Sequence, residues 1–433
     1  MLPQGDNRKN TMPTLEQKIQ HIRAELKALF YLYYRQKEYA KAQDTALAWH
    51  KICPEEDEPL SNAATCAIYC AEWDRAIDYA HQILERDPSF LNAYDVLSHA
   101  YYFKRDMAQC RQAGLKALTL RDERVMANGE LPELPVPHSM GKNVIAFSLF
   151  GSGIEYLEGA VLNAQVVGTL YPGWVCRYYI DQNVPADTVA RLRQNNAEIV
   201  LMEGELAEKL PGTMWRFLAI DDSTIENVIF RDVDSVISWR EVDIVNEWIA
   251  SGKTFHTIRD SGSHTELILA GLWGAKGGAI PNITQKMLHY AETEDLDRRF
   301  ADQFFLRHVV WQYVHQSLYA SDSIFGFLNA HPFPDNEGNT PTGHVGTVET
   351  ANIINVGCHY PENTCVKWQL FSKIDPVPRK DGSYPILEQE RFICEYQAVV
   401  KDKKFAIPFP KRYCNGFATD HSRMKIEPIN DSE

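Results

Sequence analysis

The chain has 433 residues, 45% hydrophobic and 24% charged, which is ordinary for a globular protein with two or three domains. Its net charge of −14 argues against general nucleic-acid or membrane-surface binding, although a local basic pocket could still take an anionic ligand. Nine scattered cysteines, with no CxxC pair, read as reduced thiols of a cytoplasmic protein. The first residues, MLPQGDNRKNTMPTLEQK, lack the apolar core of a signal peptide, and no apolar run is long enough for a transmembrane segment.

The front of the chain repeats. Pro54 and Pro88 are 34 residues apart, as are Ala42, Ala76 and Cys110. Tyr39, Trp73 and Met107 keep the same spacing, and so do Tyr33, Ala67 and Tyr101. Small residues let paired helices approach, and a proline ends one pair so that the next begins. EWDRAIDYAHQILERDP resembles the second helix of a tetratricopeptide unit. Residues 14–122 are therefore expected to form about three helical pairs, an array that binds a protein partner, self-associates or braces its neighbour.

MANGELPELPVPH, from Met126 to His138, breaks the helical pattern and places a linker over 123–140. After it the grammar alternates. NVIAFSLF, WVCRYYID, AEIVLME and NVIF read as strands, separated by the helical stretches GIEYLEGAVLNAQVVGTL, VPADTVARLRQNNA and GTMWRFLAIDD. This predicts a largely parallel α/β sheet over 141–340, with ligands beyond the carboxyl ends of its strands. Residues 341–433 read as an irregular Tyr/Pro-rich extension that covers the site or packs on the domain.

At the end of NVIF stand Arg231, Asp232 and Asp234. If the chain stays extended, both carboxylates point to one side and share a divalent ion. Magnesium or manganese takes such oxygens together with phosphate oxygens and water. The competing reading is a solvated turn. A haloacid-dehalogenase-like phosphatase also opens with DxD, but its following DGT and the downstream lysine-plus-acidic set are missing here. No Walker loop or complete dinucleotide fingerprint is present.

RDVDS, WREVDIVNEWIASGKTFHTIRD, ILAGLWGAKGG and ADQFFL resemble a group of bacterial and viral glycosyltransferases with the GT-A fold, over about Asn143 to Pro334. The resemblance implies a Mn2+- or Mg2+-dependent transfer of sugar from a UDP- or GDP-linked donor to a hydroxyl of a glycan or related acceptor. Asp234 would bind the metal, and Asp232 the metal or the donor ribose. Ser148, Arg216, Arg231, Gly271 and Gly274 would line the donor site. For Arg231 a structural ion pair is the alternative, and for Arg216 a surface position. Asp302, Gln303 and Asp260 would serve catalysis, and His264 the acceptor. His359 is the candidate third metal ligand through the resemblance of NVGCHYPENTCVKW, with altered spacing and no proline, to the HxxGxxKPW segment of retaining enzymes. Related sequences carry a histidine just before the position of Asp322, where this chain has Ser321. That departure keeps open a non-catalytic tetratricopeptide-repeat scaffold with an inactive transferase-like domain.

Overall fold

A computed structural model describes residues 14–127, 129–294, 300–334 and 343–429. The reading of the leader region at 1–13 lies outside them. Residues up to Arg124 together with Ser261–Glu266 form one compact unit, and Val125–Asp260 with Leu267 onward form another.

The first unit begins with six helices: α1 (Leu15–Arg35), α2 (Tyr39–Ile52), α3 (Asp57–Tyr69), α4 (Trp73–Arg86), α5 (Leu91–Phe103) and α6 (Met107–Met126). The second helix of each pair starts at Tyr39, Trp73 and Met107, so the sequence period is the structural period. Ala42, Ala76 and Cys110 are fully buried, which is why the period demands small side chains there. The turn inside each pair repeats too. Lys37, Ala71 and Arg105 all adopt left-handed backbone, with φ of 60, 56 and 64°. The N–H groups of Glu38, Glu72 and Asp106 then bond back to the carbonyls of Tyr33, Ala67 and Tyr101 at 3.0, 2.9 and 3.0 Å. This is the Schellman arrangement that satisfies the last carbonyls of a helix. The segment Ser261–Glu266 packs in the same unit: Ser98 Oγ donates to the Gly262 carbonyl at 2.7 Å, and the Arg121 guanidinium joins Asp95 and Glu266.

The second unit is built on a seven-stranded mixed sheet. Its elements run β1 (Lys142–Leu149), α7 (Ile154–Leu170), β2 (Trp174–Ile180), α8 (Ala186–Gln194), β3 (Glu198–Leu201), α9 (Gly204–Lys209), a 3-10 helix (Gly212–Asp221), β4 (Ile225–Phe230), α10 (Trp239–Ser251), β5 (Phe255–Arg259), β6 (Trp273–Lys276), α11 (Ile283–Thr293), α12 (Ala301–Phe305), α13 (Trp311–Val314) and β7 (Leu318–Asp322). The strand order is β3-β2-β1-β4-β6-β5-β7, and β6 alone runs antiparallel to its neighbours. The connections leave β1 in one direction towards β2 and β3, while β4 lies on its other side. The order therefore reverses between β1 and β4, and the crevice beyond their carboxyl ends is where such sheets hold ligands.

The tail departs from the expectation of irregular structure. It forms β8 (Asn352–Gly357), β9 (Cys365–Ile374), β10 (Ile386–Val399), β11 (Lys404–Phe409), α14 (Lys411–Ala418) and β12 (Ser422–Pro428). These strands make a three-stranded antiparallel sheet, β10-β9-β12, and a β11-β8 pair. The strict alternation of burial along β9, with Val366, Trp368, Leu370 and Ile374 inward, is the signal that marks a strand.

Ala71 occupies a backbone region that glycine enters at no steric cost. Ala71→Gly is expected to stabilise the helical unit by about 0.5–1 kcal/mol. A raised midpoint of the helical transition in a far-UV thermal scan checks this, and an unchanged or lowered midpoint refutes it.

Candidate functional site

The site begins where β4 ends. Arg231 N–H still bonds to the Ala146 carbonyl of β1 at 3.2 Å. The chain then turns instead of continuing extended: Ser235 N–H bonds to the Asp232 carbonyl at 3.3 Å. The expected alternation of Asp232 and Asp234 along a strand is therefore replaced by a turn. Helix α7 makes room for it, since a side chain at Gly159 would collide with the Val233 carbonyl. Asn163, fully buried on the same helix, clamps the residues just beyond the turn. Its amide donates to the Gly159 and Ser235 carbonyls at 3.0 and 2.9 Å, and its oxygen accepts from Ile237 N–H at 3.0 Å.

Arg216, on the 3-10 helix and 4% exposed, is the centre of the charge arrangement. One guanidinium nitrogen donates to Asp232 Oδ1 at 2.6 Å and to the Arg231 carbonyl at 2.8 Å. The other donates to Asp302 Oδ2 at 3.0 Å. Its backbone N–H donates to Ser148 Oγ at 3.0 Å, so the β1 serine seats the 3-10 helix. The alternative of a surface arginine is excluded by its burial. Asp302 is buried, and burial raises its proton affinity against the opposing pull of Arg216. Its Oδ1 accepts from Gln303 N–H at 2.9 Å. The Gln303 side chain holds the glycine-rich segment, donating to the Ile268 carbonyl and accepting from Ala270 N–H at 3.1 Å. Gly271 is where the Asp232 carboxylate rests, and a Cβ there would occupy the carboxylate's place.

Asp234 is partly buried. Burial first, and then the charge of Asp232, push its pKa up to about 6, while Arg216 pulls it down. Glu155, in the first turn of α7, adds to the negative field. Arg216 thus pairs with Asp232 and Asp302, while Asp234 lies in the negative field of Asp232 and Glu155.

The other expected residues fall elsewhere. Arg231 is not at the mouth. It is 1% exposed, and its Nε donates to Glu241 Oε2 at 2.6 Å while Glu241 Oε1 closes the capping box of α10 with Ser238. Side chains alternate along a strand, so Arg231 points away from the side that Asp232 faces. The structural ion pair is the outcome. Gly274 lies inside β6, where a Cβ would sit 3.0 Å from Ile229 and Trp248 side-chain atoms. Asp260 follows β5, and its Oδ2 accepts from Arg240 Nε at 2.8 Å and Val345 N–H at 2.9 Å. It is not one of the acids joined through Arg216. His264 is buried in the Ser261–Glu266 segment of the helical unit. His359 is exposed beyond β8, its ring against Tyr360. Thr350, just before β8, bonds to the Asp234 carbonyl, and the strand then carries the chain away. Among the described residues, no cluster of side chains able to hold a metal ion includes His359.

Two contributors had no expectation attached. Asn163 is one of two polar residues, with Gln165, within the otherwise apolar stretch GAVLNAQVV. The strap at 345–350 had no local signal. Glu349 N–H bonds to the Asp234 carbonyl at 2.9 Å, and the Glu349 carboxylate accepts from the Arg412 backbone N–H and Nε, both at 3.0 Å. Lys411 Nζ donates to the Val348 carbonyl at 2.8 Å.

No protein-family model and no curated protein matches the chain. Among solved structures it is similar to the TPR2B domain of yeast Sti1 in its Hsp70-peptide complex. There the identity is 21%, the match covers 25% of this chain and 86% of that one, and the TM-score is 0.24. The first TPR domain of Spaghetti bound to an HSP90 peptide gives 17% identity over 23% and 79%, with a TM-score of 0.22. A mutant O-GlcNAc transferase of Thermobaculum terrenum gives 13% identity and a TM-score of 0.26. This match covers 45% of the chain and 42% of that transferase. At these scores the similarities carry no functional argument.

The raised pKa of Asp234 has a stability consequence. Above about 6 its carboxylate is ionised in both states and costs the folded one; between 6 and the unfolded value of 3.8 the folded state gains by binding the proton. Without metal, Asp234→Asn should therefore be more stable than the parent at neutral pH. After allowance for partial exposure the gain should be about 1–2 kcal/mol. It should shrink as pH falls from 6 towards 4. Urea melts with a chelator present check this, and a variant less stable at neutral pH contradicts it.

Proposed function

We propose that the α/β unit is a GT-A glycosyltransferase. It would take sugar from a UDP- or GDP-linked donor and pass it to a hydroxyl of a glycan or related acceptor. The helical repeats would recruit a protein partner or self-associate. The observation that carries this reading is the pairing of Asp232 and Asp302 with Arg216, with Asp234 in the field of Asp232 and Arg216, at the reversal point between β1 and β4.

The donor set fits a hard divalent cation. All the groups are carboxylate oxygens, and burial, with the neighbouring charge of Asp232, raises the proton affinity of Asp234. Asp234 and Asp232 would hold Mn2+ or Mg2+, which when bound neutralises charge on a departing diphosphate. Arg216 keeps Asp232 and Asp302 in fixed relation and opposes the rise in proton affinity that burial gives Asp302. Asp302, with a proton affinity above the ordinary, is suited to orient or deprotonate an acceptor hydroxyl. Gln303 fixes the segment that carries Gly271 against Asp232. Phe150, exposed at the end of β1 and lying on Gly212 and Trp215, offers a flat apolar surface for a nucleobase.

The second reading, an inactive scaffold, draws on Ser321. Its hydroxyl is buried on His256 at 2.9 Å, and Asp322 caps the N–H groups of Ile324 and Phe325 at 2.8 and 2.7 Å. This strand end therefore supplies structure in place of a metal ligand.

Thermal stability measured with manganese and UDP or GDP separates the two, because a ligand that prefers the folded state raises the transition. The transferase reading expects a metal-dependent shift with one nucleotide. It also expects slow hydrolysis of the matching sugar donor, reduced at least about 100-fold in Asp234→Ala. No shift with either nucleotide, and no hydrolysis of any donor in a screened set, leaves the scaffold.

A further inference from the structure

Helix α1 has two unlike sides. The inner side packs on its own unit: Arg23 pairs with Glu56 and Lys27 with Glu58, each at 2.8 Å, and Phe30 is buried. The outer side carries Leu15, Lys18, Ile22, Glu25, Leu29 and Leu32, spaced alternately three and four residues apart. That spacing draws one line along a helix and is the seam pattern of a two-helix coiled pair. Leu15, Ile22, Leu29 and Leu32 are 75, 41, 37 and 50% exposed. An outer helix of a stacked array needs a polar outer face to remain alone in water, and α1, the first described helix, carries four aliphatic side chains in line.

We propose that this stripe is a self-association surface, and that its occupant is α1 of a second copy of the chain, packed antiparallel about a two-fold axis. The stripe's own order argues for this partner and this direction. Read antiparallel against itself, Leu15 of one copy faces Leu32 of the other, and Lys18 faces Leu29. Lys18 then stands one layer from Glu25 of the second copy, and the two-fold repeats that opposite-charge contact. Read in parallel, the same stripe sets Lys18 against Lys18 and Glu25 against Glu25. Among the described residues Glu25 pairs with the exposed His21, at 3.2 Å on the same helix, so the cross-copy contact displaces an exposed pair. The contact is isologous. One helix seam buries less than the roughly 1,600 Å² of a standard interface, so the dimer is weak and depends on concentration.

Sedimentation velocity of the full chain from about 1 to 200 µM tests the proposal, because a weak dimer converts within that range. The parent protein should move from monomer towards dimer. Lys18→Glu and Glu25→Lys should each weaken association about three- to tenfold, since each puts like charges side by side. The double variant carrying both changes should recover the parent's association, as only an antiparallel self-pairing predicts. Leu29→Lys, which sets a lysine against Lys18 of the second copy, should abolish association with the far-UV spectrum unchanged. A monomer at every concentration, a dimer indifferent to Leu29→Lys, or a double variant no better than the single ones overturns it.

Discussion

A single buried guanidinium, that of Arg216, meets two carboxylates that reach it from distant parts of the chain. Asp232 comes from the end of β4 and Asp302 from the start of α12, and each lies within 3.0 Å of a different nitrogen. Burying an arginine is costly unless its charge is matched and its donors are used. Here the Arg231 carbonyl and two acids do both, and Ser148 seats the backbone. Without that cation the acids at the mouth would repel one another in a poorly hydrated place. With it, they remain together and still exceed it in charge, a condition suited to holding a further cation.

The rest of the α/β unit can be understood as support for that cluster. Asn163 fixes the chain beyond Asp234 by hydrogen bonds to backbone groups, which no apolar residue of the same size could replace. Gln303 ties the glycine-rich segment to α12, and the missing side chain at Gly271 leaves space for the Asp232 carboxylate. From the opposite end of the sequence the strap at 345–350 bonds to the Asp234 carbonyl, and Arg412 and Lys411 pin it. The tail is thereby part of the wall around the acids and adds small antiparallel sheets to the same unit.

In the helical unit the same local solution is used three times. Small residues at the helix crossings and a left-handed residue at each tight turn recur every 34 positions, because each repeat has to fit the one before it. The outer side of α1 has no preceding repeat among the described residues, and its aliphatic stripe is suited to a second copy.

What the sequence determined by itself was local or periodic. The 34-residue repeat and the strands around Asn143, Trp174 and Asn227 are carried by neighbouring residues. So is the end of α10, which closes at Gly252 with φ of 72°. The clustering of acids after β4 was legible for the same reason. Only the tertiary structure decided that Arg216 is the shared partner of Asp232 and Asp302, that Arg231 turns inward to Glu241, that the 345–350 strap bonds to the Asp234 carbonyl and that the tail pairs into sheets. Each of those outcomes depends on contacts between residues ten to over a hundred positions apart. Residue type shows that a buried charge must find a partner, but only the packed chain shows which of the available partners comes within reach.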